Sequence, residues 1–140
     1  GQEQIKKNSL LNNLSDKIKI FDKANFNDVK ENLTSEQLQK TLFLVDIEGT
    51  EFEIFNEINS DIFKKSFLII ENHNFLVNDE ESKKKFFQLM KNNFSLEILQ
   101  NSGRNPYAID EIQDLDDDER WLIMSEGRPK KMDWIVCVPL

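Results

Sequence analysis

The stretch "TLFLVDIEGTEFEIF", Thr41 to Phe55, runs a continuous apolar segment into four acids, a glycine and an amphipathic pattern. An unbroken apolar run of this length is what a strand covered on both faces of a parallel sheet looks like. It predicts a central strand. After Gly49, Thr50 and Glu53 have the spacing of a capping box, and Phe52, Ile54, Phe55 and Ile58 give the following helix a buried side.

Working outward, "SFLIIE" (66–71) is a second apolar strand, and "NDEESKKKFFQLMKNNF" (78–94) is a helix capped by Asn78 or Asp79. That helix buries Phe86, Phe87, Met90 and Phe94. "SLEILQ" (95–100) and "MDWIVCVPL" (132–140) read as strands, with a loop and a short acid-capped helix, "DDDERWLIM", between them. Upstream, Ile5, Leu10, Leu11 and Leu14 mark a first helix, "KIKIF" (17–21) a short alternating strand, and "NFNDVKENLTSEQLQK" a loop and helix with Thr34 and Gln37 as a capping box. Alternation of helix and strand indicates an open α/β sheet.

The totals exclude several classes. A net charge of -8 opposes a phosphate-backbone partner, so no nucleic acid is expected. No apolar run reaches the length of a membrane span, which predicts no membrane partner. The single cysteine, Cys137, has no partner within the chain and sits among apolar residues, as expected of a buried thiol in a reducing cytoplasm. Trp121 and Trp134 are expected to pack. "DLDDDE" (114–119) alternates like a calcium loop, but Glu119 stands where the turn glycine belongs and Ser125 where the bidentate glutamate belongs, so helix capping is its default reading.

Ligands of open α/β sheets bind beyond the carboxyl ends of the strands, which selects "DIEG" and "ENHN". Asp46 and Glu48 leave the first strand two residues apart. Glu71 and His73 repeat that spacing at the second, so the only histidine would stand beside a carboxylate that raises its basicity. Acids on a first helical turn also serve the helix dipole, which accounts for Glu53 and much of Glu51. A carboxylate ending a buried strand, Asp46, needs a partner or solvent.

At "FLVDIEGTEFEIFNE" the chain resembles the FkbM family of S-adenosylmethionine-dependent methyltransferases, whose signature is a strand ending in Asp-x-Glu-Gly followed by acid and apolar residues, with Asp46, Glu48, Gly49 and Glu51 on it. "FLIIENHNF" is similar to the strand ending in Glu-x-His, and "SEGRPKKMDWIVCVP" to a Glu-x-Arg-Pro-x-x-Met-x-Trp ending of a methyltransferase-like subgroup. The resemblance implies an α/β fold: an incomplete Rossmann-like sheet, mostly parallel, with an antiparallel C-terminal strand and helices on both faces. It covers residues 1–140 as one domain, with "KIKIF" as the family's third strand.

The four glycines, Gly1, Gly49, Gly103 and Gly127, include no glycine-rich loop of the kind that cradles the methionine part of the cofactor. The chain therefore reads as the C-terminal two-thirds of such a fold, truncated at its N-terminus. Removal of the first two strands leaves an apolar edge on "TLFLVDI", which "KIKIF" or a second copy is expected to cover, giving about five strands.

By resemblance the activity is methyl transfer from S-adenosylmethionine to a hydroxyl of a sugar or small metabolite. His73 and Glu71 would be catalytic; Asp46, Glu48 and Gly49 would bind the cofactor. Asp46, Glu71 and Asn72 offer oxygens to magnesium, but nothing in the spacing demands a metal and none is assigned. The alternative is a degenerate, non-catalytic domain acting in interaction or oligomerisation.

Overall fold

A computed structural model of the protein describes residues 1–22, 25–125, 130 and 132–140. The chain divides into two compact units, Gly1–Thr34 and Ser35–Leu140. The first holds α1 (Gln2–Leu11) and α2 (Phe26–Asn32). Asn25 caps α2 by accepting the Asp28 N–H. Residues 17–21, expected as a strand, form none. Five alternating residues have no extended structure to keep without a ladder partner, and Lys17 instead donates its N–H to the Leu14 carbonyl in a turn.

The second unit runs α3 (Ser35–Leu38), β1 (Leu42–Val45), α4 (Glu51–Ile54), α5 (Ser60–Phe63), β2 (Phe67–Asn72), α6 (Glu80–Asn93), β3 (Phe94–Gln100), α7 (Asp117–Ser125) and β4 (Asp133–Pro139). Its sheet is mixed, four-stranded and ordered β1-β2-β4-β3. Only β1 and β2 pair in parallel; β4 is antiparallel to both β2 and β3. The fold is α/β, but among the described residues the sheet has four strands rather than about five and one parallel pair of three, where a mostly parallel sheet was expected.

The sheet's two faces differ. Leu68, Ile70, Ile135 and Cys137 are fully buried, and Phe94 of β3 lies on their side in the register. Onto this face α4, α5 and α6 bring an aromatic cluster. Phe63 stacks on Phe94 with centroids 6.3 Å apart, Phe55 meets Phe63 at 4.9 Å, and Phe52 meets Phe86 at 4.8 Å. Each such fully buried side chain contributes about 2–3 kcal/mol by removal from water. The opposite face stays open at Leu42, Leu44, Phe67, Leu99 and Val138. The expectation of a strand covered on both faces is thus corrected for β1, where Leu44 is 68% exposed.

Local signals explain the helices. Asp79 caps α6, its Oδ1 accepting the Glu81 N–H at 3.0 Å and its Oδ2 the Ser82 hydroxyl at 2.6 Å. The predicted capping box at Thr50 does not form, because the Thr50 hydroxyl donates back to the Ile47 carbonyl. The helix after Gly49 is also shorter than its apolar pattern. Phe55 turns extended, and Asn56 accepts the Asn59 N–H to start a separate turn, leaving Ile58 91% exposed. Trp121, expected to pack, is 52% exposed. No described helix is long and apolar enough to cross a membrane.

Candidate functional site

Parallel pairing of β1 and β2 brings their carboxyl ends to one edge of the sheet, and the register sets Val45 beside Ile70. Asp46 and Glu71 therefore leave the two strands side by side. Two residues on, the chain after β1 makes a left-handed turn through Glu48 (φ 54°) and Gly49 (φ 93°), while that after β2 reaches His73. A side chain on Gly49 would be strained at that φ and would press its Cβ to 3.3 Å from Leu76 Cβ. Glycine at this position serves the turn.

His73 is 1% exposed and is the meeting point of four carboxylates. Its Nδ1 lies 3.2 Å from Glu51 Oε1. Its Nε2 lies 3.6 Å from Asp46 Oδ1, 3.7 Å from Glu48 Oε2 and 3.6 Å from Glu71 Oε2. These three distances exceed a hydrogen bond, and Nε2 is a buried nitrogen with no hydrogen-bond partner among the described residues. Glu51 and Glu71 are as buried as the imidazole, at 1% and 2%; Asp46 and Glu48 are exposed. The imidazole forms the floor of the cluster and the two exposed acids its rim.

Glu51 orients the ring. Its Oε1 accepts the backbone N–H of His73 at 3.0 Å, and its Oε2 accepts that of Gly49 at 2.9 Å. A carboxylate accepts, so Nδ1–H donates to Glu51 Oε1, and Nε2 is the ring nitrogen left toward Asp46, Glu48 and Glu71. The sequence reading expected a neighbouring carboxylate for His73 and named Glu71; the one that hydrogen-bonds the ring is Glu51, read there mostly as a helix-start acid. All five residues predicted for the site, Asp46, Glu48, Gly49, Glu71 and His73, lie in this one cluster. Most of the "EGRPKK" part of the third motif lies outside the described residues.

No protein-family model matches the chain. Comparison with curated proteins and with solved structures also yields no match. What the site does is therefore argued from its own residues.

Chemically, the cluster presents a buried imidazole nitrogen to an acidic rim of two exposed carboxylates. Such a group accepts a proton or ligates a cation.

Proposed function

We propose that the chain is a methyltransferase-like domain of Rossmann-like ancestry, acting with S-adenosylmethionine on a hydroxyl of a sugar or other small metabolite. The observation that carries this reading is the convergence of the Asp46-Ile47-Glu48-Gly49 signature with Glu71 and His73 at the carboxyl ends of adjacent parallel strands. The sheet order supports it as well. A family sheet ordered 3-2-1-4-5-7-6 with an antiparallel seventh strand, stripped of its first three strands, has the order and directions of β1-β2-β4-β3.

In this role His73 Nε2 takes the proton of the acceptor hydroxyl, and Glu51, bonded to Nδ1, holds the tautomer that can receive it. Glu71, buried 3.6 Å from Nε2, stabilises the imidazolium that results. Asp46 and Glu48 line the cleft on the cofactor side. The cofactor supplies the methyl group. The chain's residues fit the acceptor half of this chemistry better than the cofactor half, because Gly49 is closed off by Leu76 and no second glycine stands near it.

That same observation favours a second reading, a degenerate domain that has kept the fold for interaction. The small-molecule acceptor is the proposed partner in the first case. In the second, a second copy paired along β1, the end strand of the sheet order, is, since identical edges pair about a two-fold axis. A reducing cytoplasm suits the free Cys137 in both.

Calorimetry with S-adenosylhomocysteine separates them. The enzymatic reading expects binding by this chain or by a form extended upstream where the gene provides one, and loss of turnover in His73→Gln without unfolding. Absence of binding in both forms would overturn it.

A further inference from the structure

We infer that Asp46, Glu48 and His73 form a binding site for a divalent first-row transition cation of the zinc or manganese class. One ligand atom from each of the three lies within 4.8 Å of the others. Exposed acids alone would mean little. The independent observation is His73 Nε2: fully buried, without a hydrogen-bond partner among the described residues, and 3.6 and 3.7 Å from the two exposed carboxylates, with the buried Glu71 also at 3.6 Å as a further acceptor.

The two distances from Nε2 are close to those between ligands that share a cation. Ligand atoms about 2.1 Å from a tetrahedral cation stand about 3.4 Å apart. Nε2 lies 3.6 Å from the Asp46 oxygen and 3.7 Å from the Glu48 oxygen, too far for hydrogen bonds and within a few tenths of an ångström of shared coordination. Positive charge at this point, whether a cation or a proton on Nε2, offsets the repulsion between the carboxylates, and titration with metal distinguishes the two.

The surroundings match a metal site in a second respect. A histidine that ligates through one nitrogen almost always donates its other N–H to a carboxylate or carbonyl, which fixes the tautomer and raises ligand basicity. Glu51 does this for Nδ1 from a fully buried position, itself held by the N–H groups of Gly49 and His73. The left-handed turn at Glu48 and Gly49 brings the second rim carboxylate back over the strand end. An imidazole with two carboxylates selects a borderline cation over magnesium or calcium, which prefer all-oxygen shells. This set differs from the oxygen set Asp46, Glu71 and Asn72 considered from sequence, and three protein ligands leave room for water or a substrate oxygen.

The inference rests on the cluster's geometry and not on methyl transfer. A cation on Nε2 takes the lone pair that the base role needs, so the two roles exclude one another; failure of methyl transfer leaves the cation site standing, and failure of the cation to bind leaves Nε2 available as a base. The test is titration of the purified 140-residue chain with zinc or manganese, and with magnesium as comparison, by calorimetry. Because His73 is the only histidine, its imidazole nitrogens are followed by NMR in the zinc titration. Expected are one equivalent of zinc or manganese bound at least tenfold tighter than magnesium, and displacement of the Nε2 resonance with Nδ1 still protonated. Asp46→Asn and Glu48→Gln, both at exposed positions, should each weaken binding at least tenfold in a folded protein. Absence of binding, an unmoved Nε2 resonance, or undiminished affinity in both variants would overturn the site.

Discussion

Glu51 satisfies three donors at once: the N–H of Gly49, the N–H of His73 and the His73 ring Nδ1. Truncation orphans all three in a buried place, where each unmet donor costs about 1–3 kcal/mol. Glu51→Ala should therefore destabilise the fold by about 3–5 kcal/mol, while Glu51→Gln, which keeps the shape and one acceptor oxygen, should cost less than half of that. Urea unfolding midpoints measure both, and a midpoint unchanged in the alanine variant would remove Glu51 from this role. At this scale Asp46, Glu48, Glu71 and His73 were legible in the sequence because strand ends of an α/β sheet are where ligands bind. Glu51 was not. Acids on a first helical turn are common for reasons of dipole alone, and only the folded distance to His73 distinguishes this one.

Among the elements, α6 was legible in full because cap, first-turn acids and apolar spacing agree, and β1, β2, β3 and β4 were legible as apolar or alternating runs. The helix after Gly49 was overextended, since the apolar positions continue to Ile58 while Asn56 diverts the backbone. "KIKIF" failed for a different reason: a strand depends on its neighbour, which local pattern does not specify.

The element β4 also carries a pH dependence. Burial on its covered face pushes the Cys137 thiol from 9.0 up to about 12. Below pH 9 both folded and unfolded chains keep the proton, so the thiol adds no pH dependence. Above it the unfolded chain ionises while the folded one does not, and stability is lost progressively as pH rises toward 12. Denaturant unfolding on either side of pH 9 should reveal this fall, and Cys137→Ala should lack it; equal slopes in the two proteins would contradict the assignment.

For the Ser35–Leu140 unit as a whole, the asymmetry between a packed and an open sheet face makes a clear distinction between apolar residues that hold the fold and those that do not. Leu44→Lys, at a position 68% exposed, should change unfolding stability by no more than about 0.5 kcal/mol and reduce self-association in light scattering. A large loss of stability would mean that this face is covered. The strand order has a consequence for how the molecule is made. Strand β4 lies between β2 and β3, pairing with the first from Leu68 to Asn72 and with the second from Phe94 to Gln100, yet it leaves the ribosome after both. Until residues 133–139 emerge, β3 has no ladder partner and the nascent chain holds only the β1-β2 pair. Sheet assembly thus waits for synthesis of residues 133–139, and a message cut short before Asp133 would yield a chain with one parallel pair and an unpaired apolar strand, the kind of product that cellular quality control removes.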